Sequence, residues 1–178
     1  MLNSTIQRAL NSAGSPSRLE PRDLCRDEKN LRPDGKTHVP WANGQTLAWD
    51  ATCVDTLAYS YVGGTCETAG FAAKKTEERK VEKYQGLSGA RCFQPIAVET
   101  FGAPGSSTET FLDQLGGLIA KKTGEPRSRQ YLSQRLSIDI QRGNAASVLG
   151  TLPQSRSLDE VLLVLESDRN KNVQSDLL

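Results

Sequence analysis

The 178 residues carry 22 Lys and Arg against 21 Asp and Glu, a formal charge of +1, so no global field draws the chain to nucleic acid or to an acidic surface. The length suits one domain with a proper core and a short appendage, and no apolar run is long enough to span a bilayer. The opening MLNSTIQRAL lacks the basic-then-apolar layout of a secretory signal, so no membrane partner and a nuclear or cytoplasmic location are expected.

Ile6, Leu10 and Ala13 at helical spacing predict a first helix over residues 3–13, with Asn3 or Ser4 as its N-cap and Gly14 as its stop. A polar connection follows from Ser15 to Leu31. Val39, Trp41, Leu47, Trp49 and Val54 then favour strands, and Asn43-Gly44 between them is a strong hairpin signal. Pro40 confines the first of these strands to an edge or a bulge. TCETAGFAAKKTEERKVEKY reads as a helix from about Thr68 to Tyr84, with a thin apolar face of Phe71, Ala72, Val81 and Tyr84. In CFQPIAVETFG the run Ile96-Ala97-Val98 is that of a strand buried on both faces.

SSTETFLDQLGGLIAKKTGEP is a capped helix with a stripe of Phe111, Leu112, Leu115, Leu118 and Ile119, stopped by Gly124 and Pro126. Another helix is predicted over residues 127–148 on Leu132, Leu136 and Ile140. The expected fold is a mixed α/β domain, residues 1–149, with a small sheet flanked by helices and extra C-terminal helices. Residues 150–178 form a tail with one apolar run at 161–165 and frayed last residues. Cys25, Cys53, Cys66 and Cys92 are never spaced CxxC and His38 is the only histidine, which argues for buried, reduced thiols and against zinc.

Two aspartates frame the hairpin: Asp34 in RPDG, and Asp50 inside the apolar strand LAWDATCV, where an aspartate is disfavoured and a buried charge costly. A two-residue turn at Asn43-Gly44 sets Thr37 opposite Asp50 and sends Asp34 to the other face. A three-residue loop at Ala42-Asn43-Gly44 sets Lys36 opposite Asp50, Asp34 opposite Thr52, and both aspartates on one face. Carboxylates at the diagonal separation of roughly 7–8 Å can lean onto one Mg²⁺, with ligands at about 2.1 Å. The alternative is structural: Pro33-Asp34-Gly35 makes a turn and Asp50 bonds a neighbouring loop.

The series RPDG, LAWDATCVD, a Lys-rich helix ending KVEKY, and FQPIAVETFG resembles the PD-(D/E)xK nuclease superfamily. More narrowly, it is similar to the restriction-like endonuclease domain in the C-terminal region of non-LTR retrotransposon polyproteins, behind the reverse transcriptase. The resemblance covers Leu19 to Gly102 and extends through LSIDIQRGNAA. It implies a restriction-endonuclease-like sheet and a Mg²⁺- or Mn²⁺-dependent DNA hydrolase, with an upstream reverse transcriptase region as a further partner. Asp34 and Asp50 match the metal-binding acids. Thr52 stands where the family's lysine is usual, so the lysine would come from the following helix, as Lys80 or Lys83. Glu99 is a further candidate metal ligand and Glu20 a looser one. Otherwise those lysines belong to a solvated face laced with Glu77, Glu78 and Glu82.

Lys121, Lys122, Arg127, Arg129, Arg135 and Arg142, against Glu125 and Asp139, form a basic cluster able to follow a phosphate backbone; ordinary helix-end charge is the alternative. Competing with a nuclease are an inactive nucleic-acid- or protein-binding module of the same fold, and a plain interaction domain with structural aspartates.

Overall fold

The computed structural model describes residues 2–21, 32–85 and 91–151. Its elements are α1 (Leu2–Ser12), β1 (Ser17–Leu19), β2 (Gly35–Ala42), β3 (Gln45–Val54), α2 (Val62–Thr65), α3 (Phe71–Lys83), β4 (Arg91–Glu99), α4 (Ser106–Thr123) and α5 (Ser128–Thr151). The chain divides into two compact units, residues 1–143 and 144–178; of the second, 144–151 are described, as helix. Cys25, most of the polar connection and the apolar run at 161–165 lie outside the described residues. Among those described, no helix is long and apolar enough to cross a membrane.

The fold is mixed α/β. Four strands lie in the order β1-β2-β3-β4; β1, β2 and β3 are successively antiparallel, and β4 joins β3 in parallel after the crossover through α2 and α3. The helix expected over 3–13 is α1, closed by a Schellman motif. Gly14 takes φ 83°, its N–H donates to Asn11 O at 3.0 Å, and Ser15 N–H donates to Leu10 O at 2.9 Å.

The hairpin turn has two residues, Asn43 (φ 48°) and Gly44 (φ 74°), with Ala42 paired to Gln45. Left-handed dihedrals at both positions match the right-handed twist of the strands. β2 then shifts register twice, on either side of Pro40, because proline brings no N–H to the ladder. By Lys36 the partner is Ala48, and by Gly35 it is Trp49.

Alternation along β3 divides the sheet's faces. Leu47 and Trp49 point to one face and are fully buried with Ile96 beneath Ile6 and Leu10 of α1, Phe111, Leu112 and Leu115 of α4, and Leu132 and Leu136 of α5. Ala48 and Asp50 point to the other face, which α3 covers through Ala72 and Ala73. Tyr84, just past α3, stacks on Phe93 of β4 with ring centroids 4.4 Å apart. Val81, expected on the apolar face of this helix, is exposed instead, and Glu77 is buried. Cys53 and Cys66 are exposed rather than buried, Cys92 is half-buried, and all three are free.

Candidate carboxylate–lysine site

Gly35 explains how Asp34 reaches the sheet. A Cβ at this position would lie 2.1 Å from the Trp49 ring, so only glycine lets the β2 backbone cross the buried indole. Pro33-Asp34-Gly35 is thus the entry to a strand rather than a turn. Continuing the Gly35–Trp49 pairing by one residue sets Asp34 opposite Asp50, on the same face. The expectation that a shared face requires a three-residue loop is therefore corrected: the loop has two residues, and the shifts around Pro40 supply the offset.

Two N–H groups of β3 that face β2 are taken by side chains. Leu47 N–H donates to Thr37 Oγ1 at 2.9 Å, and Ala51 N–H donates to Asp34 Oδ2 at 2.7 Å. Glu20, exposed and at φ 47°, contributes its backbone: its N–H donates to Asp34 O at 2.8 Å. The Asn3 side chain, at the start of α1, favours the charged form of the Asp34 carboxyl.

Asp50 is 9% exposed, and its Oδ1 meets Lys80 Nζ at 2.6 Å. Lys80 comes from α3, so three separate segments converge: the entry to β2, the middle of β3 and the second half of α3. Fully ionised, two carboxylates and one ammonium leave one negative charge uncompensated. Asp34 registers that excess. Burial pushes its carboxyl above the ordinary value of 3.8, the Ala51 N–H works against the rise, and the neighbouring Asp50 charge adds to it.

Two further carboxylates fix α3. Glu77 Oε1 accepts the Thr108 N–H at 2.7 Å and the Thr108 hydroxyl at 2.6 Å, and Oε2 accepts the Ser107 N–H at 3.0 Å. Thr108 Oγ1 in turn accepts Ala97 N–H of β4 at 2.8 Å. Glu77 thereby caps the first turn of α4, where an anion is favoured. A Cβ on Gly105 would lie 2.4 Å from this carboxylate and would push it off the α4 N–H groups. Glu99, 2% exposed, accepts Ala72 N–H at 2.9 Å at the start of α3. Lys80 follows Glu77 by three residues, one turn along the same side of a helix anchored at two points.

Asp34, Asp50 and Lys80 are brought together; the remaining candidates are not. Lys83 Nζ lies over the Tyr84 ring, 4.8 Å from its centroid. Glu99 pairs in register with Val54, whereas Asp50 pairs with Pro95, so the two carboxyl-bearing positions are four residues, roughly 13 Å, apart along parallel strands. Its buried carboxylate caps the start of α3 and lies away from the Asp34–Asp50 pair. Thr52 sits on β3 beside Ala97 and brings no cation. Among the described residues, no three His, Cys, Asp or Glu side chains are grouped to hold a metal; the carboxylates that meet are two.

Much of the basic cluster is neutralised internally. Arg127 pairs with Glu125 at 3.2 Å, Arg129 with Glu109 at 2.5 Å and Asp113 at 2.6 Å, and Arg135 with Asp139 at 3.6 Å. Lys122 lies against Gly14 at the C-terminal end of α1. Lys121 and Arg142 are exposed, with no ion-pair partner among the described residues. α4, like α5 up to Leu136, packs on the Trp49 face, opposite the face that holds Asp50 and Lys80.

Gly35, Glu77 and the Ala51 N–H support the site and were not assigned to it from the sequence, which put Glu77 on a solvated face. For Glu77 a signal existed: it falls four residues after Ala73, on the small-residue side of the helix. No family model matches this chain, and no curated protein matches it either.

Proposed function

We propose that the protein is a metal-dependent DNA endonuclease module of the PD-(D/E)xK restriction-like type, drawn from a non-LTR retroelement polyprotein with a reverse transcriptase region upstream. The observation that carries this reading is the meeting of Asp34, Asp50 and Lys80 from three segments, with Lys80 reaching Asp50 from the helix that follows the second acidic strand. Thr52 in place of the usual lysine is then no obstacle, since the ammonium arrives from α3.

The donor set fits a hard divalent cation. Asp34 and Asp50 offer carboxylate oxygens on one face and leave one negative charge over after Lys80 is counted, which suits Mg²⁺ or Mn²⁺. When bound, such an ion supplies Lewis-acid stabilisation of a phosphodiester and an activated water. The chain's own groups do the remainder. Lys80 has three donors, one of them engaged by Asp50, so the others can orient water and neutralise charge developing on phosphate oxygens. The Ala51 N–H holds the Asp34 carboxyl in place. Glu77 and Glu99 keep α3, and with it Lys80, from moving.

The test is nicking of supercoiled plasmid DNA in Mg²⁺ or Mn²⁺. The expected result is cleavage that chelator abolishes and that Asp50→Ala lowers at least about 100-fold. Cleavage that survives this substitution, or a folded wild type that never cleaves, would remove the nuclease reading.

One observation favours a second reading. Lys80 neutralises Asp50 directly at 2.6 Å, so half of the site is satisfied without a metal. An inactive nucleic-acid-binding descendant of the same fold would retain that pair, retard DNA in a gel with no need of divalent ion, and cleave nothing.

A further inference from the structure

We propose that DNA lies across the α3-side face of β1 and β2, where Arg18 and Lys36 hold its phosphate backbone beside the Asp34–Asp50 pair. The inference rests on the DNA reading above and goes beyond it by naming the face and the side chains that hold the substrate. It moves the phosphate contacts away from the α4 and α5 bases, where Arg127, Arg129 and Arg135 are already held by acids.

Strand register carries the placement. Arg18 is the cross-strand partner of Lys36, and Lys36 that of Ala48, which shares the α3-side face with Asp50 two residues on. The residues between them face the other way: Ser17 and Leu19 pair with Thr37 and Gly35, and Thr37 is fully buried. Lys36 is thus a diagonal neighbour of Asp50, at roughly 7–8 Å, and stands about 7 Å from Asp34 along the chain. Among the described residues, the helix on this face is α3, which packs on β4 and β3. β1 and β2 continue the face beyond it, with Arg18 and Lys36 half-buried and His38 exposed.

Two like charges set directly opposite each other in a ladder repel, which makes the Arg18–Lys36 pairing a costly choice for the sheet alone. A phosphate above the strands attracts both at once and turns the repulsion into a two-point contact. On the other flank of the aspartates, the Tyr84 hydroxyl donates to Arg32 O at 3.0 Å, which fixes exposed Arg32 two residues ahead of Asp34. Bases therefore stand on both sides of the carboxylate pair: Arg32, then the pair with Lys80, then Lys36 and Arg18. Glu20, exposed just past β1, is the acid that borders this path. A DNA strand along it sets one phosphate at the carboxylates and its neighbours over the bases.

The probe is a fluorescently labelled DNA duplex, its binding to the full chain followed by anisotropy in Ca²⁺ over a range of salt concentrations, with each variant's fold checked by circular dichroism. Lys36→Ala and Arg18→Ala should each weaken binding about fivefold to tenfold near about 0.1 M salt and lower the salt slope by about one counterion. Lys121→Ala, on the far side of the sheet, should leave both unchanged. Lys36→Gln, which keeps a side chain without the charge, should behave as Lys36→Ala does. Salt slopes unchanged in both Lys36 variants and in Arg18→Ala overturn the inference, and plasmid nicking by those same proteins then leaves the nuclease reading standing. Slopes lowered as expected, beside a folded wild type that never nicks plasmid, support this face and remove the nuclease. A wild type that does not bind the duplex overturns the inference as well.

Discussion

Four carboxylates are sunk into the α3 side of this sheet, and they fall into two kinds. Glu77 and Glu99 meet backbone N–H groups at the starts of α4 and α3, and Glu77 adds a hydroxyl. Asp34 and Asp50 meet each other, with one N–H and one lysine between them. The first kind fastens helices to the sheet. The second sets two like charges side by side with a single ammonium, the kind of arrangement that shifts a carboxyl's pKa. Burial alone does not separate the two kinds; what each carboxylate faces does.

Cutting the pair that fastens helices should do the greatest structural damage. Glu77→Ala leaves the Ser107 and Thr108 N–H groups without their acceptor and should cost about 3 kcal/mol in urea unfolding. Glu77→Gln, which keeps the acceptor oxygen, should recover much of that. A Glu77→Ala loss within 0.5 kcal/mol would erase the distinction between the two kinds.

Lys80→Ala should cost less, about 1–3 kcal/mol in chelator, since it leaves two neighbouring carboxylates without their cation. Added Mg²⁺ should return part of that stability to this variant. If Mg²⁺ gives nothing back, the carboxylates do not share an ion.

Asp34→Asn should act in the opposite direction and more weakly. The folded-state carboxyl sits above 3.8, chiefly through burial and with the Asp50 charge adding to it. Its contribution to stability is therefore fully present below about pH 4 and is lost as pH rises through the raised value. At pH 7 in chelator the amide, which never ionises and can still accept from Ala51 N–H, should melt higher than the wild type. That advantage should shrink as pH falls towards 4, and Mg²⁺ should stabilise the wild type but not the variant. A lower melting temperature for Asp34→Asn across the whole range would contradict the account of Asp34.

The smallest effects belong to the far side of the sheet. Lys121→Ala and Arg142→Ala, at exposed bases without ion-pair partners among the described residues, should change stability by less than about 0.5 kcal/mol. If this surface follows DNA, each should reduce the salt dependence of binding by about one counterion; Arg129→Ala, whose charge Glu109 and Asp113 already hold, should reduce it less.

Helices and strands were largely legible because they rest on local patterns: the stripe of α4, the Asn43-Gly44 turn, the apolar run of β4. The two aspartates were legible as anomalies, since a charge in LAWDATCV demands an explanation. What sequence reasoning missed was the register. Counting back from the turn assumes an unbroken ladder, and Pro40 broke it twice; the proline was read as a bulge signal, but a bulge has no countable offset until its partner strand is seen. The crowding of Gly35 against Trp49 and the cap that Glu77 makes on α4 join residues 14 or more positions apart. No local pattern carries such contacts. Lys80 stood out from Lys83 only once α3 had been laid on the sheet.

The central claim is that Lys80, arriving from α3, does for Asp34 and Asp50 what a lysine at position 52 would otherwise do. Its most direct test is plasmid nicking in Mn²⁺ by the wild type, Lys80→Ala, and the double variant Lys80→Ala with Thr52→Lys. The account predicts cleavage by the wild type, a loss of about 100-fold or more in Lys80→Ala, and partial recovery in the double variant. Nicking by Lys80→Ala at the wild-type rate would contradict it.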